Sequence, residues 1–95
     1  MACYIVATVR ILDPERFSAY ASAVAGLAER FGAQAILKGP VSEVLEGDGV
    51  VGERVVISRF DTPEQARAYI ESSDYRQAQL LRQGAADVVM RLINQ

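Results

Sequence analysis

The sequence predicts a single α+β domain in which four strands and two helices alternate in the order βαββαβ. Three observations support this prediction. Four segments are rich in strand-forming apolar residues, two helix starts each carry a proline, and 95 residues are enough for one modest core. We therefore expect residues 1–95 to form one domain.

The first strand and the first helix are marked by their composition and by capping residues. Cys3–Ile11 is rich in β-branched residues and predicts strand 1. Asp13 can cap a helix that begins at Pro14, whose fixed φ suits the first helical position. Apolar residues then recur at helical spacing as far as Phe31, and Gly32 predicts a left-handed end to the helix.

The second and third strands are predicted to form a hairpin. Ala33–Glu46 predicts strand 2, with a bend at Pro40, which cannot donate a hydrogen bond to a ladder. The glycine-rich residues 47–52 predict the turn, and Arg54–Phe60 predicts strand 3.

The rest of the chain predicts a second helix and a fourth strand. Thr62 and Gln65 have the spacing of a capping box. Ser72–Asp74 interrupts the apolar pattern and predicts a new cap before Tyr75, and Asp87–Ile93 predicts strand 4. The whole order is that of a ferredoxin-like domain, a four-stranded antiparallel sheet with two helices on one face.

Both faces of the predicted sheet are apolar, which predicts a homodimer. Right-handed crossovers place both helices on the same face and leave the other face uncovered. Strand 1 nevertheless carries Ile5 and Ala7 on one side and Tyr4 and Val6 on the other. An uncovered apolar face usually marks an interface, and a second copy related by a two-fold axis is the simplest cover. The predicted assembly is a dimeric α/β barrel, and the alternative is a monomer with an exposed apolar face.

Composition restricts the function. Ten basic and twelve acidic residues give a net charge of −2, which argues against nucleic acid or an anionic membrane as the partner. The sequence shows no long apolar run and no signal-peptide features, and the single Cys3 fits a reducing compartment, so we expect a cytoplasmic protein. The lack of histidine and the single Cys3 argue against His-based triads, the common His metal sites and an internal disulfide. We expect neither a cofactor nor a metal ion.

Several short motifs follow one another along the chain. In order, they are Tyr4, Asp13-Pro14-Glu15, Phe17, Tyr20, Phe31-Gly32, Gly39, Leu45-Glu46-Gly47, Arg54-Val55-Val56-Ile57, Phe60, Ala66, Ser72, Tyr75 and Arg82. Their order and spacing resemble the domain-of-unknown-function 1330 family over almost the whole chain. The resemblance implies a dimeric α/β barrel of ferredoxin-like topology and no established general activity. Gln34, Arg59, Tyr69 and Ile70 depart from the residues that the family favours, so a pocket built for its usual ligand would be altered here.

Seven residues are candidates for a ligand-binding site, and none is assigned a catalytic role. If Glu46 and Arg54 pair across the strands, they form either a salt bridge that sets the register or a carboxylate–cation pair in a cleft. Arg82 either complements a helix C-terminus or binds a carboxylate. The other candidates carry hydroxyl groups that either belong to the core or line a cavity: Tyr4, Ser58, Tyr69 and Tyr75.

Three functions remain open. The first is a homodimer that binds a small organic ligand, with or without the cofactor-independent chemistry of monooxygenases, isomerases or decarboxylases that similar dimeric α/β barrels carry out. Arginine and tyrosine can stabilise the oxyanion of such a reaction without a metal. The second is a non-catalytic binding module, and the third is a structural dimer with a fully packed interior. A cavity separates the third function from the others, and turnover separates the first two.

Overall fold

A computed structural model describes residues 2–95, which form four strands and four helical segments. In chain order they are β1 (Cys3–Ile11), α1 (Pro14–Val24), α2 (Leu27–Arg30), β2 (Gln34–Pro40), β3 (Arg54–Phe60), α3 (Pro63–Glu71), α4 (Ser73–Leu81) and β4 (Ala86–Asn94). The strands form one antiparallel sheet in the order β2-β3-β1-β4. The predicted ferredoxin-like fold is confirmed.

The predicted capping residues start the helices. The Asp13 carboxylate accepts a hydrogen bond from the backbone N–H of Arg16 at 3.2 Å, and Pro14 occupies the first turn of α1. At α3, the Thr62 hydroxyl accepts from the N–H of Gln65 at 3.2 Å, while the Gln65 side chain accepts from the N–H of Thr62 at 3.3 Å. This reciprocal pair satisfies two backbone donors that would otherwise lack partners.

Each predicted helix is divided into two segments. The break after α3 was predicted, and Ser72 caps α4 by accepting from the N–H of Tyr75 at 3.1 Å. The break between α1 and α2 was not predicted. It falls at Gly26, whose φ of +73° is a left-handed conformation that costs glycine no steric energy. Gly32 ends α2 with a φ of +94°, as predicted.

Strand β2 is shorter than predicted, because it ends at Pro40 rather than at Glu46. Pro40 has no N–H to continue a ladder. Beyond it, the N–H of Val41 still donates to Glu53 at 2.7 Å, and the N–H of Gly52 donates to Val41 at 2.8 Å. The intervening residues form a loop. Arg54 therefore lies opposite Pro40, and the cross-strand pair with Glu46, which the sequence left open, does not form.

The core lies between the helices and one face of the sheet. Alternate residues of β1 point into it, and all four helical segments pack over that face. The buried cluster joins β1, β3, α2, α3 and α4 through Cys3, Ile5, Leu27, Phe60, Ala66, Tyr69 and Tyr75. The helices and the sheet thus form two layers, which agrees with a smallest molecular dimension of 16 Å.

The opposite face of the sheet carries no helix, and we call it the open face. Because directly paired residues share a face, its side chains follow from the register: Tyr4, Val6, Thr8 and Arg10 of β1, Val55, Ile57 and Arg59 of β3, and Asp87, Val89, Arg91 and Ile93 of β4. Val89 and Ile93 are 55% and 50% exposed. Much of this uncovered surface is apolar, as the sequence predicted.

Candidate functional site

A cavity of about 260 Å³ lies between the helices and the sheet. We call it the main cavity. Its helical wall comes from α1 and α2, its floor from β1, β2 and β3, and its far side from α3 and β4. Its mainly apolar lining includes Phe17, Tyr20, Val24, Ala28, Ile5, Ala7, Val9, Leu37, Val56, Tyr69 and Met90. The apolar stripe of α1 is therefore only partly closed against the sheet, and Phe17 and Val24 remain half-buried.

Charged groups of the main cavity lie mainly along its β2–β3 side. Arg54 and Lys38 are its basic residues, and Glu29 of α2 is its acidic residue. Arg54 is half-buried, whereas Lys38 and Glu29 are exposed. Among residues 2–95, Arg54 forms no ion pair with a carboxylate. Ser58 lies on the same face of β3 as Arg54, further along the strand, and adds a hydroxyl group to the lining.

A hydrogen-bonded group of two tyrosines and an arginine adjoins the cavity. The Arg82 Nη1–H donates to the Tyr75 hydroxyl at 2.8 Å, and the Tyr75 and Tyr20 hydroxyls lie 3.4 Å apart. The guanidinium carbon of Arg82 lies 5.0 Å from the centre of the Tyr20 ring, within cation–π range. Because Tyr20 lines the main cavity, it links this group to the cavity wall.

Burial raises the pKa of two tyrosines that line the main cavity, Tyr20 and Tyr69. Burial, followed by the hydrogen bond with Tyr75, raises the pKa of Tyr20 well above its usual value. Burial and the nearby Tyr75 and Glu29 raise the pKa of Tyr69 to about 12. An ordinary tyrosine is already protonated near neutral pH, and these shifts extend the protonated range of both residues into alkaline solution.

The contacts with Tyr75 and Tyr20 favour the charged form of Arg82. Burial lowers the pKa of its guanidinium, but the hydrogen bond and the charge interactions with Tyr75, together with Tyr20, outweigh that effect and raise the pKa overall. Arg82 is the C-terminal cap residue of α4. It thus stands at a helix C-terminus, one of its two predicted places, while its side chain donates to a tyrosine instead of a carboxylate.

The seven candidate residues do not form one site. Arg54, Ser58 and Tyr69 line the main cavity. Tyr75 and Arg82 stand behind Tyr20 in the hydrogen-bonded group. The other two candidates lie elsewhere: Tyr4 is on the open face, where its hydroxyl donates to Gln95 at 3.1 Å, and Glu46 is exposed in the β2–β3 loop.

Sequence reasoning missed three polar residues of the main cavity. Tyr20 was assigned to the apolar stripe of α1, and Glu29 and Lys38 were not considered. A tyrosine within an apolar stripe is one available signal, because its hydroxyl must reach a polar partner or water. Glu29 and Lys38 offered no such signal, because charged residues are mostly exposed to solvent.

Two kinds of feature are absent from residues 2–95. Within residues 2–95, no three side chains of the metal-binding types come close enough together to hold an ion. In that same range, no helix has the length and apolar character needed to cross a membrane.

The chain is a ferredoxin-like domain with a cavity of about 260 Å³ between its helices and its sheet. The chain belongs to the DUF1330 family, a domain of unknown function, whose family model matches residues 2–95. The family resemblance is thereby confirmed. A search of curated proteins finds no match to this chain.

Solved structures share the fold. A protein of unknown function from Rhodopseudomonas palustris is 22% identical with a TM-score of 0.76, over 99% of this chain and 82% of that one. A dimeric ferredoxin-like protein of unknown function from Jannaschia sp. is 13% identical with a TM-score of 0.75, over 100% of both chains. SnoaB, a cofactor-independent oxygenase from Streptomyces nogalater, is 10% identical with a TM-score of 0.69, over 99% of this chain and 92% of that one. At these identities the likeness shows the fold alone.

Proposed function

We propose that this protein is a homodimer whose subunits each bind a small organic anion in the main cavity. The observation that carries the proposal is Arg54, a half-buried cation in a mostly apolar cavity with no ion pair among residues 2–95. A cation that has lost part of its hydration is stabilised by an anionic partner that accepts its hydrogen bonds. The chain supplies none at this position, so a ligand carboxylate or enolate fits it.

The shape of the cavity supports a compact, mostly apolar ligand. Its volume of about 260 Å³ lies just below the range of about 300–1,000 Å³ that is usual for small-molecule sites. The apolar lining favours a hydrocarbon or aromatic body. Arg54 and Ser58 favour an oxygen-bearing group on the β3 side.

The open face supports the homodimer. A second copy would cover the apolar side chains of the sheet that the helices leave exposed, such as Val89 and Ile93. An isologous contact of this kind requires the same face on both subunits, which a two-fold axis provides. The Jannaschia protein, which has the same fold, is described as dimeric.

A second candidate function is cofactor-independent catalysis at the same site, and the protonated tyrosine beside the cavity favours it. A substrate that forms its own carbanion needs hydrogen-bond donors for the oxygen that gains negative charge. Arg54, Ser58 and the hydroxyl of Tyr69, which all line the main cavity, can be such donors. The fold of SnoaB, a cofactor-independent oxygenase, is similar. A non-catalytic module that only sequesters its ligand would use the same residues without turnover.

The test of binding uses 1-naphthoate, an aromatic carboxylate whose fluorescence responds to an apolar environment. We expect saturable binding to the purified protein, and about tenfold weaker binding to Arg54→Gln, since a hydrogen bond to a charged group contributes about 1.5–3 kcal/mol. Arg30→Gln is the matched control, because it removes an equal charge from an exposed residue outside the cavity. Equal binding by Arg54→Gln and the wild type would overturn the anion site.

A crystal structure of the protein as purified gives an independent test. Ligand density in contact with Arg54 would identify the bound compound and supply a substrate to assay. Oxygen consumption or product formation from that compound would establish catalysis, whereas its recovery unchanged would establish the sequestering function. A dimer whose main cavity is filled by its own side chains would leave the structural function instead.

A further inference from the structure

A second cavity lies between α3, α4 and the edge strand β4, and nothing in the proposed function uses it. It has a volume of about 210 Å³ and opens to solvent. We call it the arginine groove, because the side chains of Arg67 of α3 and Arg76 of α4 line it. Arg91 of β4 also borders it, but the register directs the Arg91 side chain to the open face. Two neighbouring helices thus bring two of the ten basic residues of an acidic chain to one groove.

The arginines of the groove are available to a ligand. Arg67 and Arg76 are both exposed, and neither forms an ion pair among residues 2–95. Arg76 donates one hydrogen bond to the Gln79 side chain at 3.3 Å and keeps its other guanidinium donors. Glu71 is the one acidic residue of the lining, so the lining carries an excess of positive charge.

The rest of the groove is apolar. Ala66 and Ile70 of α3 form one side, and Met90 and Leu92 of β4 form the other. Ala66 is buried, Ile70 and Met90 are half-buried, and Leu92 is 39% exposed. Such a lining offers a hydrocarbon chain a place out of water beside the cationic groups. A volume below that of a typical small-molecule site fits a short chain.

The groove and the main cavity are separate spaces with a common wall. Ile5 and Met90 line both of them. The Tyr75 hydroxyl lies 3.4 Å from the Met90 sulfur and so holds this wall from the helical side. Arg54, Val56 and Tyr20 belong only to the main cavity, whereas Arg67, Ile70 and Arg76 belong only to the groove. Substitutions can therefore test the two sites independently.

We propose that the arginine groove is a second binding site for short-chain amphiphilic carboxylates. The carboxylate contacts Arg67 and Arg76, whose planar guanidinium groups match its geometry. The alkyl chain lies against Ile70, Met90 and Leu92. The charge excess selects an anion over a neutral or cationic ligand, and the apolar lining selects an alkyl carboxylate over a small inorganic anion.

The test titrates ¹⁵N-labelled protein with octanoate and follows the backbone amide shifts. We expect saturable shifts in residues 66–76 and 90–92. Octan-1-ol, which has the chain without the charge, and acetate, which has the charge without the chain, should each bind at least about tenfold more weakly. Equal binding of octanol would refute anion recognition, and equal binding of acetate would refute the role of the apolar lining.

Matched variants locate the site. The double variant Arg67→Gln/Arg76→Gln should weaken octanoate binding about tenfold or more, while Arg30→Gln should leave it unchanged. Glutamine is a good helix former and both positions are exposed, so the double variant should fold. Octanoate that binds the double variant as tightly as the wild type, or that shifts only Tyr20, Arg54 and Val56, would overturn the proposal. Arg54→Gln, which weakens 1-naphthoate under the proposed function, should leave the octanoate shifts in place.

Discussion

Arg82 and Tyr75 are joined by a hydrogen bond of 2.8 Å, in which the guanidinium donates to the tyrosine hydroxyl. The two residues lie seven positions apart, one near the start of α4 and the other at its C-terminal cap. Arg82 also stands over the ring of Tyr20 on α1. One cation therefore holds α4 against α1 through two aromatic residues, and it directs positive charge towards hydroxyl groups beside the main cavity.

A double-mutant cycle on this pair should show coupling. Tyr75→Phe and Arg82→Gln should each lower the free energy of unfolding by about 1 kcal/mol, less than a fully buried charged hydrogen bond because Arg82 is partly exposed. The double variant should lose less than the sum, since either substitution alone already removes the bond. Urea denaturation measures all three. Strictly additive losses would contradict an energetic link, and Arg30→Gln, which breaks an exposed ion pair of 3.7 Å, should cost almost nothing.

Stability should fall at alkaline pH, and Tyr69 should contribute to the fall. Its pKa is raised from 10.0 to about 12, first by burial and then by Tyr75 and Glu29. Below pH 10 the residue is protonated in both states. Between pH 10 and 12 the unfolded chain releases the proton first, so the folded state loses relative stability by up to about 1.4 kcal/mol per pH unit.

The variant Tyr69→Phe removes this contribution. Its free energy of unfolding should decline less steeply than that of the wild type between pH 10 and pH 12, as measured by urea denaturation at a series of pH values. Tyr20, whose pKa is also raised, should keep part of the decline in the variant. Parallel curves for the two proteins across this range would show that Tyr69 does not contribute.

The elements with local signals were predictable. The alternation in β1 predicted that Ile5 and Val6 lie on opposite faces of the sheet, because side chains alternate along a strand. In the structure Ile5 is on the helix side and Val6 on the open face. The caps at Asp13 and Thr62 fixed both helix starts, since their side chains bond to backbone groups three residues away. Such contacts are encoded within a few residues and need no knowledge of the tertiary structure.

The site depended on distant contacts and was less predictable. Arg54 and Ser58 were candidates, yet what brings them to a cavity is the incomplete closure of α1 over the sheet. Glu46 looked like the end of a strand because Val41, Val44 and Leu45 are apolar, but Leu45 is 86% exposed in a loop. Hydrophobic character alone does not distinguish a buried strand from an exposed loop, because burial depends on whether distant parts of the chain pack against the segment.

Alanine substitutions at Gly26 and Gly39 can distinguish backbone strain from steric clash, because both positions have open space around them. A Cβ at Gly26 or at Gly39 would meet no atom within 4 Å, but only Gly26 has a positive φ, of +73°. Gly26→Ala should lower the free energy of unfolding by about 1–2 kcal/mol, because an L-residue resists the left-handed conformation. Gly39→Ala, on β2, should be neutral or slightly stabilising. Thermal denaturation compares the two, and equal effects would show that the break at Gly26 is not held by backbone conformation.

The open face should fail as an interface when a charge is placed within it. Val89 is 55% exposed in the single subunit and lies on that face opposite Thr8, so Val89→Asp should not disturb the core of the subunit. In a dimer the aspartate would be buried twice, once from each copy. Its short side chain cannot extend to water, and the desolvation penalty is several kcal/mol per ion. The variant should therefore be a monomer.

Sedimentation velocity measures this outcome, since one chain has a mass of 10.3 kDa. The wild type should sediment with twice that mass and Val89→Asp with that mass alone, while circular dichroism shows the same secondary structure for both. Leu80→Asp is the matched control, because Leu80 is 62% exposed on α4, in the helical layer away from the open face. It should remain dimeric. A wild type that sediments as a single chain at every concentration would refute the homodimer, and a dimeric Val89→Asp would place the interface on another surface.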